Sequence, residues 1–339
     1  MGARPKDQFV TATRIRYLSE ADVAALLPSI EEQITLVERA LRDVARGAAH
    51  QPPKVPLDLG GGAPFAHAMP AAIDGLGGRV AGAKWISGGG GAPIGGVVLV
   101  ERPGASGLRG IVAAAALTAV RTAAVSGAGL RVAPPTTDRA RAGGALSAAI
   151  IGGGVQAVTH RAVLQLLAPG TPVAFYSRRA ASELPLLPGD RIALSVDDAM
   201  KDADIIVTAV AFDTAPREIT LDSMRPGATL LVIDYAATIS GALVEALRAR
   251  GAVRVITDSA AQFDSTRAAG KLGSVATGAW PAADVQIGEL LGSVASGGAP
   301  SGAVTTLVNH LGISACDLVL ADAILTAAEE RGVGTLLPR

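Results

Sequence analysis

The sequence predicts an α/β protein in which a Rossmann-type dinucleotide-binding domain is joined to a discontinuous α+β domain. Three observations carry that reading. The apolar run Ala148-Ala149-Ile150-Ile151 enters the cluster Gly152-Gly153-Gly154 and leaves into residues 155–167, whose apolar positions repeat with the period of a helix. Strand and helix patterns then alternate to about residue 260, as in a parallel sheet with crossover helices. Residues 51–111 instead carry strand and turn patterns with no helix among them, which predicts a mostly antiparallel sheet.

Taken in order, residues 1–16 read as a loose arm with one short strand. Ser19 caps a first helix that runs to Leu27. Ser29-Ile30-Glu31-Glu32 is a capping box that opens a second helix to Arg46, stopped by Gly47. Ile34, Val37, Ala40, Leu41 and Val44 share one face of it, the usual core stripe. Strands are expected at Val55–Leu59, Phe65–Met69, Val80–Ile86 and Gly95–Val100, with Gly107–Ile111 as a further one and Gly88–Gly91 as a flexible loop. A helix follows from Ala113 to Val132, and Pro134-Pro135 with residues 136–144 marks a domain junction. Further strands are expected at 148–151, 172–177, 191–195, 204–210, 228–234 and 253–257, with a short helix over 197–202. Residues 292–302 read as a loop, and the last helix spans Ile313 to Arg331.

Composition excludes several classes of function. A chain of 339 residues suggests two domains, and 49% hydrophobic content suffices for their cores. Thirty basic and thirty acidic residues leave no net formal charge, so no overall field favours nucleic acid or an anionic membrane. Aromatic residues make up only 3%, which disfavours base-stacking surfaces. The single cysteine, Cys316, excludes an internal disulfide framework and fits a reducing cytoplasm. It has no CxxC or histidine-rich company, so it reads as a small core residue and no metal site is expected. The N-terminus carries Arg4, Lys6 and Asp7 without an apolar core, so no signal peptide is expected. The longest apolar stretches, such as Ile111–Val120, are too short to span a bilayer.

Four constellations carry chemistry. Gly152 and Gly154 supply the G-x-G half of a dinucleotide fingerprint, with Ala157 at the third small position; Val155 and Gln156 open the helix whose N-terminus would receive a pyrophosphate. The next strand ends at Ser177, followed by Arg178-Arg179, where an NAD site would carry a carboxylate for the ribose 2′-hydroxyl. A hydroxyl and two guanidiniums suit a 2′-phosphate, which favours NADP over NAD; otherwise the arginines are solvated residues at a helix start. Thr118, Arg121 and Thr122 fall at i, i+3 and i+4 on one helix face among alanines, as an anion clamp or as a structural arginine at a domain interface. Lys84 is a cation in an apolar strand, placed to orient a carboxylate or to act as an acid, or snorkelling at a strand edge; Lys54 is a second cation nearby in sequence. Asp234 ends an apolar strand, where α/β sheets put ligand contacts, as a general base or as a helix cap or loop salt bridge.

These segments together resemble the ornithine cyclodeaminase/mu-crystallin family over about residues 15–335. The resemblance is carried by Gln51-Pro52-Pro53-Lys54, Met69-Pro70-Ala71, Lys84-Trp85-Ile86, the run Ala116–Ala124, Ile150–Ala157, Ala203–Ala209 with Pro216, Arg225-Pro226-Gly227, Gly288-Glu289-Leu290 and Gly312–Asp317. It implies a substrate-binding and dimerisation domain at 1–132 and 313–339 around a Rossmann domain at 133–312, hence a homodimer. It also implies that Lys54 and Arg121 bind a substrate carboxylate with Met69 beside them, that Lys84 sits at the reacting carbon, and that Asp234 is the candidate catalytic aspartate. Thr122, the glycine turn and the segment Thr208, Ala209 and Val210 are then at the cofactor.

The chain also departs from the family pattern. Gly88–Gly96 replaces the usual Asn and Gly-Leu-Pro, His67-Ala68 replaces a glutamate before Met-Pro, and Asp234 falls about two residues short of the usual spacing from Gly227. These differences bear on the substrate rather than on cofactor use. The expected function is an NAD(P)-dependent reductase of an imine or imino acid, or the reverse amino-acid dehydrogenase. A cyclodeaminase with internally recycled NAD, or a cofactor-binding protein without turnover, are the alternatives. The expected partners are a small amino or imino acid and a second copy of the chain, with no nucleic acid and no membrane.

Overall fold

The computed structural model describes residues 14–60, 64–89, 91–104, 107–211, 219–220, 223–251, 253–272, 280–293 and 303–338. The chain divides into two compact units: Met1–Pro28, Ala48–Thr118 and Ser314–Arg339 form the first, Ser29–Gly47 and Ala119–Ile313 the second.

The first unit is built on seven strands: β1 (Arg14–Leu18), β2 (Val55–Leu57), β3 (Pro64–Gly75), β4 (Gly78–Gly89), β5 (Ala92–Arg102), β6 (Gly107–Ala113) and β15 (Thr335–Pro338). Their order is β15-β1-β6-β5-β4-β3-β2. β1 runs parallel to β6 and every other pair is antiparallel. Strand alternation buries Met69, Ile73, Val80, Lys84, Ile86, Val98, Val100 and Val112. Helix α10 (Ser314–Arg331) packs on β3, β4, β5 and β6. Glycines let it lie close: a Cβ on Gly110 would stand 2.5 Å from Leu325, and one on Gly82 2.9 Å from Leu318. Buried Asp322 pins the helix, accepting from Leu76 N at 2.9 Å, from Arg102 at 3.1 Å and from Arg109. Helix α1 (Glu20–Leu26) opens on Ser19, whose hydroxyl accepts from Asp22 N while the Asp22 carboxylate accepts from Ser19 N.

The second unit holds a wholly parallel eight-stranded sheet. Its strands are β7 (Ala148–Ile151), β8 (Val173–Tyr176), β9 (Arg191–Ile192), β10 (Ile205–Thr208), β11 (Thr229–Val232), β12 (Val253–Thr257), β13 (Val285–Gln286) and β14 (Thr305–Asn309), in the order β13-β12-β14-β11-β10-β7-β8-β9. The chain builds outward from β7 through β8 to β9 on one side and through β10 to β11 on the other. The order therefore reverses between β7 and β10, the topological switch point of a doubly wound sheet. β7, β10 and β11 are four-residue runs buried throughout, as parallel strands covered on both faces must be. Helices α2 (Ile30–Ala45), α4 (Asp138–Arg141), α5 (Val155–Leu167), α6 (Val196–Met200), α7 (Gly241–Ala249), α8 (Ala260–Ala268) and α9 (Ile287–Ser293) complete it. Helix α3 (Ala115–Val132) carries the division of the chain after Thr118.

Residues 29–47 and 119–132 belong to the second unit. Packing within that unit holds the first of these segments. A Cβ on Gly127 would stand 2.9 Å from Ile34, and one on Gly288 would stand 2.0 Å from the Leu41 carbonyl, so only glycine lets α2 nest on α3 and α9. Arg131 then clasps Glu31 at 2.6 Å and Glu38 at 3.1 Å. Gly88 and Gly89, expected in a loop, extend β4. The arm at residues 1–13, Pro216 and most of the loop expected at 292–302 lie outside the described residues.

Candidate functional site

The glycine turn is shaped by close approach. Gly152 follows β7 at φ 131°, donates its N–H to the Tyr176 carbonyl at 2.9 Å, and leaves no room for a Cβ, which would stand 2.3 Å from the Ala209 carbonyl. Gly153 is equally constrained: a Cβ there would stand 2.2 Å from Ser177 Oγ. The G-x-G pattern assigns no role to this middle glycine, although the triplet is plain in the sequence. Gly154 is the N-cap of α5 and brings no side chain to it. The first turn of α5 therefore presents backbone N–H groups with no side-chain cap, and Val155 in it is 61% exposed. Gln156 follows, half-buried. The turn fits a dinucleotide pyrophosphate, because Gly152 and Gly153 let the chain fold tightly against Ala209 and Ser177 while Gly154 leaves open space in front of the uncapped N–H groups of α5.

At the end of β8, Ser177 Oγ accepts from Arg179 N at 3.0 Å. Arg178 and Arg179 are exposed, and Arg179 pairs loosely with Glu183 at 3.5 Å. The two arginines follow directly on Ser177, the residue whose hydroxyl lies against Gly153 of the glycine turn.

Arg121, on α3, is buried. Its guanidinium lies against Gly312, where a Cβ would stand 2.5 Å from Nη1. The Gly312 segment is itself clamped: Asp258 Oδ1 and Oδ2 accept from Leu311 N at 3.2 Å and Gly312 N at 2.7 Å. Thr122 is half-buried, and Thr118 turns its hydroxyl onto the Ala114 carbonyl.

Asp234 stands two residues beyond β11 and is buried. Its oxygens accept from Thr208 Oγ1 at 3.1 Å and Thr238 Oγ1 at 3.2 Å. Burial pushes its carboxyl up to about 7, against those hydrogen bonds, which favour the charged form. Tyr235 and Ala236 follow at φ 55° and 59°, two successive non-glycine residues in the left-handed region. Each costs about 1–3 kcal/mol, strain that recurs at functional sites. Asp234 caps no helix; Ser240 caps α7. Thr208, expected at the cofactor, is wholly buried and supports Asp234, while Ala209 and Val210 beyond it are half-buried.

In the first unit Lys84 is neither at a sheet edge nor snorkelling. β4 lies between β3 and β5, and Lys84 Nζ donates to Asp317 Oδ1 at 2.9 Å with both side chains fully buried. Met69 is its cross-strand partner and is buried too. Lys54 is buried, and Gln51, close by in sequence, accepts the Ala315 N–H of α10 at 2.8 Å, in the same first turn as Asp317. Sequence reasoning assigns no role to Asp317, Asp258, Thr238 or Gly153; Asp317 enters it only as the last residue of the family-like run Gly312–Asp317. Among the described residues no group of three or more His, Cys, Asp or Glu side chains is placed to hold a metal, and no helix is long and apolar enough to cross a membrane.

A doubly wound parallel sheet, a glycine turn at its switch point and a strained, buried carboxyl at its carboxyl edge define an α/β protein with a Rossmann-type domain. Within that class the chain belongs to the ornithine cyclodeaminase/mu-crystallin family, whose model matches residues 16–332. It is 29% identical over 213 residues to the nodulation efficiency protein NfeD of Rhizobium meliloti, a match that covers 58% of this chain and 62% of that protein, less than two thirds of either. Among solved structures it is similar to an archaeal alanine dehydrogenase dimer with bound NAD, at TM-score 0.76 and 20% identity over 96% of this chain and 99% of that one. It is likewise similar to the Thermococcus litoralis Δ1-pyrroline-2-carboxylate reductase in complex with NADH and L-proline, at 0.74 and 21% over 95% and 99%. A lysine cyclodeaminase matches at 0.74 and 20% over 96% of each chain. At these identities the structural likenesses establish a shared fold.

Proposed function

We propose that this chain is an NAD(P)-dependent oxidoreductase that reduces an imine or α-imino acid, or oxidises the corresponding amino acid in reverse. The observation that carries this reading is Asp234, a buried carboxyl that titrates near 7 at the carboxyl edge of the Rossmann sheet. A group balanced between its two forms near neutral pH is suited to give or take a proton at a substrate nitrogen. Gly152, Gly153 and Gly154, with Val155, Gln156 and Thr122, would hold the dinucleotide phosphates. Ser177, Arg178 and Arg179 would hold the 2′-phosphate of NADP, and Ala209 and Val210 would flank the dinucleotide beyond β10. When bound, the dinucleotide supplies or accepts a hydride at nicotinamide C4. The chain does the rest. Arg121 and Lys54 bind the substrate carboxylate, Met69 lines the neighbouring strand, Lys84 polarises the reacting group, and Asp234 moves the proton. NAD and NADH in the dehydrogenase and reductase that share the fold support dinucleotide use.

The same reading includes a homodimer acting in the cytoplasm. Its support is an apolar sheet face in the first unit. Pro70, Ala83, Leu99 and Ile111 are aligned across four strands, next to the row Ala68, Trp85, Val97 and Ala113. Trp85 is 44% exposed and Leu99 37%. A second copy of the chain would cover them.

The deciding experiment incubates the protein with NADPH or NADH and a panel of cyclic imines and α-imino acids. Net oxidation, faster with NADPH, is expected. Ammonia release from a diamino acid with catalytic NAD and no net change in cofactor absorbance would assign a cyclodeaminase instead, and tight dinucleotide binding without turnover would assign a binding role.

A further inference from the structure

Three buried side chains of the second unit form one line of hydrogen bonds that the proposed chemistry does not use. His160 Nδ1 lies 2.8 Å from the Gln156 carbonyl oxygen, His160 Nε2 lies 2.9 Å from Ser126 Oγ, and Ser126 Oγ lies 2.7 Å from His310 Nε2. All three side chains are buried. The Gln156 carbonyl can only accept, so Nδ1 of His160 carries a proton. Burial pushes His160 down to about 4, against the Gln156 hydrogen bond, so the ring is neutral near pH 7 and its Nε2 is a bare acceptor. Ser126 must then donate to His160, and its oxygen must accept from His310 Nε2–H. Each proton in the line has one place, and the donors point from His310 towards Gln156.

Both ends of the line meet parts of the proposed site. Gln156 lies in the first turn of α5, next to the glycine turn. His310 opens the segment that Asp258 clamps and that presses Gly312 onto the Arg121 guanidinium. Ser126, in the middle, stands on α3 one turn beyond Thr122. The geometry points to a positioning relay: His160, Ser126 and His310 tie the dinucleotide-binding end of α5 to the seat of Arg121, so that filling the first site readies the second for a carboxylate. None of the three touches substrate; they act through Gln156 and Arg121. The relay rests on the reading of α5 and Arg121 as binding groups given above. Its consequence is ordered binding, dinucleotide first, because the substrate is gripped more tightly once α5 is occupied.

The test uses the full chain labelled with 15N at histidine, with Ser126→Ala to remove the bridging hydroxyl and Ser126→Thr to keep it. In the free protein near neutral pH, His160 is expected as the Nδ1–H tautomer and His310 as the Nε2–H tautomer. NADPH should shift the resonances of both rings in the wild type and in Ser126→Thr, but of His160 alone in Ser126→Ala. In steady-state kinetics Ser126→Ala should raise the substrate KM by about fivefold or more, with kcat and dinucleotide affinity within about twofold, and Ser126→Thr should restore KM. If Ser126→Ala does not fold, His310→Asn cuts the line at its other joint and is read the same way. An Nε2–H tautomer at His160, His310 resonances that stay fixed while dinucleotide binds the wild type, or an unchanged KM overturns the relay. Failure of both NADPH and NADH to bind overturns the proposed function and the coupling together, and the tautomers of the free protein distinguish that outcome from a failure of the hydrogen-bond line itself.

Discussion

Lys84 and Asp317 form a salt bridge of 2.9 Å with both side chains fully buried, one on the interior strand β4 and the other in the first turn of α10. Removing one partner strands the other charge away from water. Lys84→Met is therefore expected to destabilise the protein by about 3–5 kcal/mol. The double variant Lys84→Met, Asp317→Leu should recover much of that loss, since neither charge is then buried. Urea denaturation of the three proteins checks this, and a double variant as unstable as the single one would contradict it. If Lys84 also polarises the substrate, the recovered double variant stays inactive.

Asp234 makes stability depend on pH. Its ordinary value of 3.8 describes the unfolded chain, and about 7 the folded one. Below 3.8 both states hold the proton. As pH rises from there to about 7 the unfolded chain gives up its proton and the folded one keeps it. Stability should therefore fall across this window, by about 1.4 kcal/mol per pH unit at its steepest, and the contribution should level off above it. Asp234→Asn should flatten that slope in denaturation curves taken at a series of pH values. The kcat/KM profile of the wild type should carry a group titrating near 7 that the same substitution abolishes.

Arg178 and Arg179 should separate the two dinucleotides. On the proposed reading, replacing both by Ala removes charged contacts to a 2′-phosphate worth about 1.5–3 kcal/mol. NADPH binding should weaken by about tenfold or more, while NADH binding changes little. Titration by intrinsic fluorescence or calorimetry reads both, and equal losses would remove these residues from the ribose site.

Arg121→Lys keeps the charge and loses the planar fork. Substrate KM should rise and kcat should fall, with dinucleotide affinity nearly unchanged because the proposed dinucleotide contacts belong to the glycine turn and Thr122. If thermal melts instead show a destabilised protein with normal KM, Arg121 is a structural residue pressed against Gly312 and the carboxylate belongs to Lys54 and Lys84.

Trp85→Glu should place a charge on the apolar face of the first unit's sheet, opposite the face on which α10 packs. Light scattering after size exclusion should show a dimer for the wild type and a monomer for the variant. A wild type that runs as a monomer at micromolar concentration would remove this face from the assembly.

Several features are legible in the sequence because their physics is local. The capping boxes at Ser19 and Ser29 close within three residues, so donor and acceptor stand together in the chain. The turn at Gly152–Gly154 is announced by an apolar run entering and a helical period leaving, and the family resemblance rests on such short contiguous runs. Strands β7, β10 and β11 read as apolar stretches for the same reason. Strand β14 is not legible, although it lies inside the sheet between β11 and β12: Thr305–Asn309 is buried throughout, but Thr305, Thr306 and Asn309 leave only Leu307-Val308 as an apolar run, too short to mark a strand.

Linear order thus specifies the class of fold, the glycine turn and the identity of the charged residues Lys54, Lys84, Arg121 and Asp234, since each depends on neighbours a few residues away. What surrounds those charges is settled by tertiary structure alone. It sets Asp317 against Lys84 across 233 residues of chain, presses Gly312 onto Arg121, and places α2 with the Rossmann unit through contacts that only glycine allows. It also seals Asp234 from water between two threonines and follows it with two left-handed residues. The reason is that desolvation and close packing are properties of an enclosed volume. A carboxyl shifts towards neutral pH only when atoms from distant segments exclude water from it, and linear spacing carries no record of which segments those are.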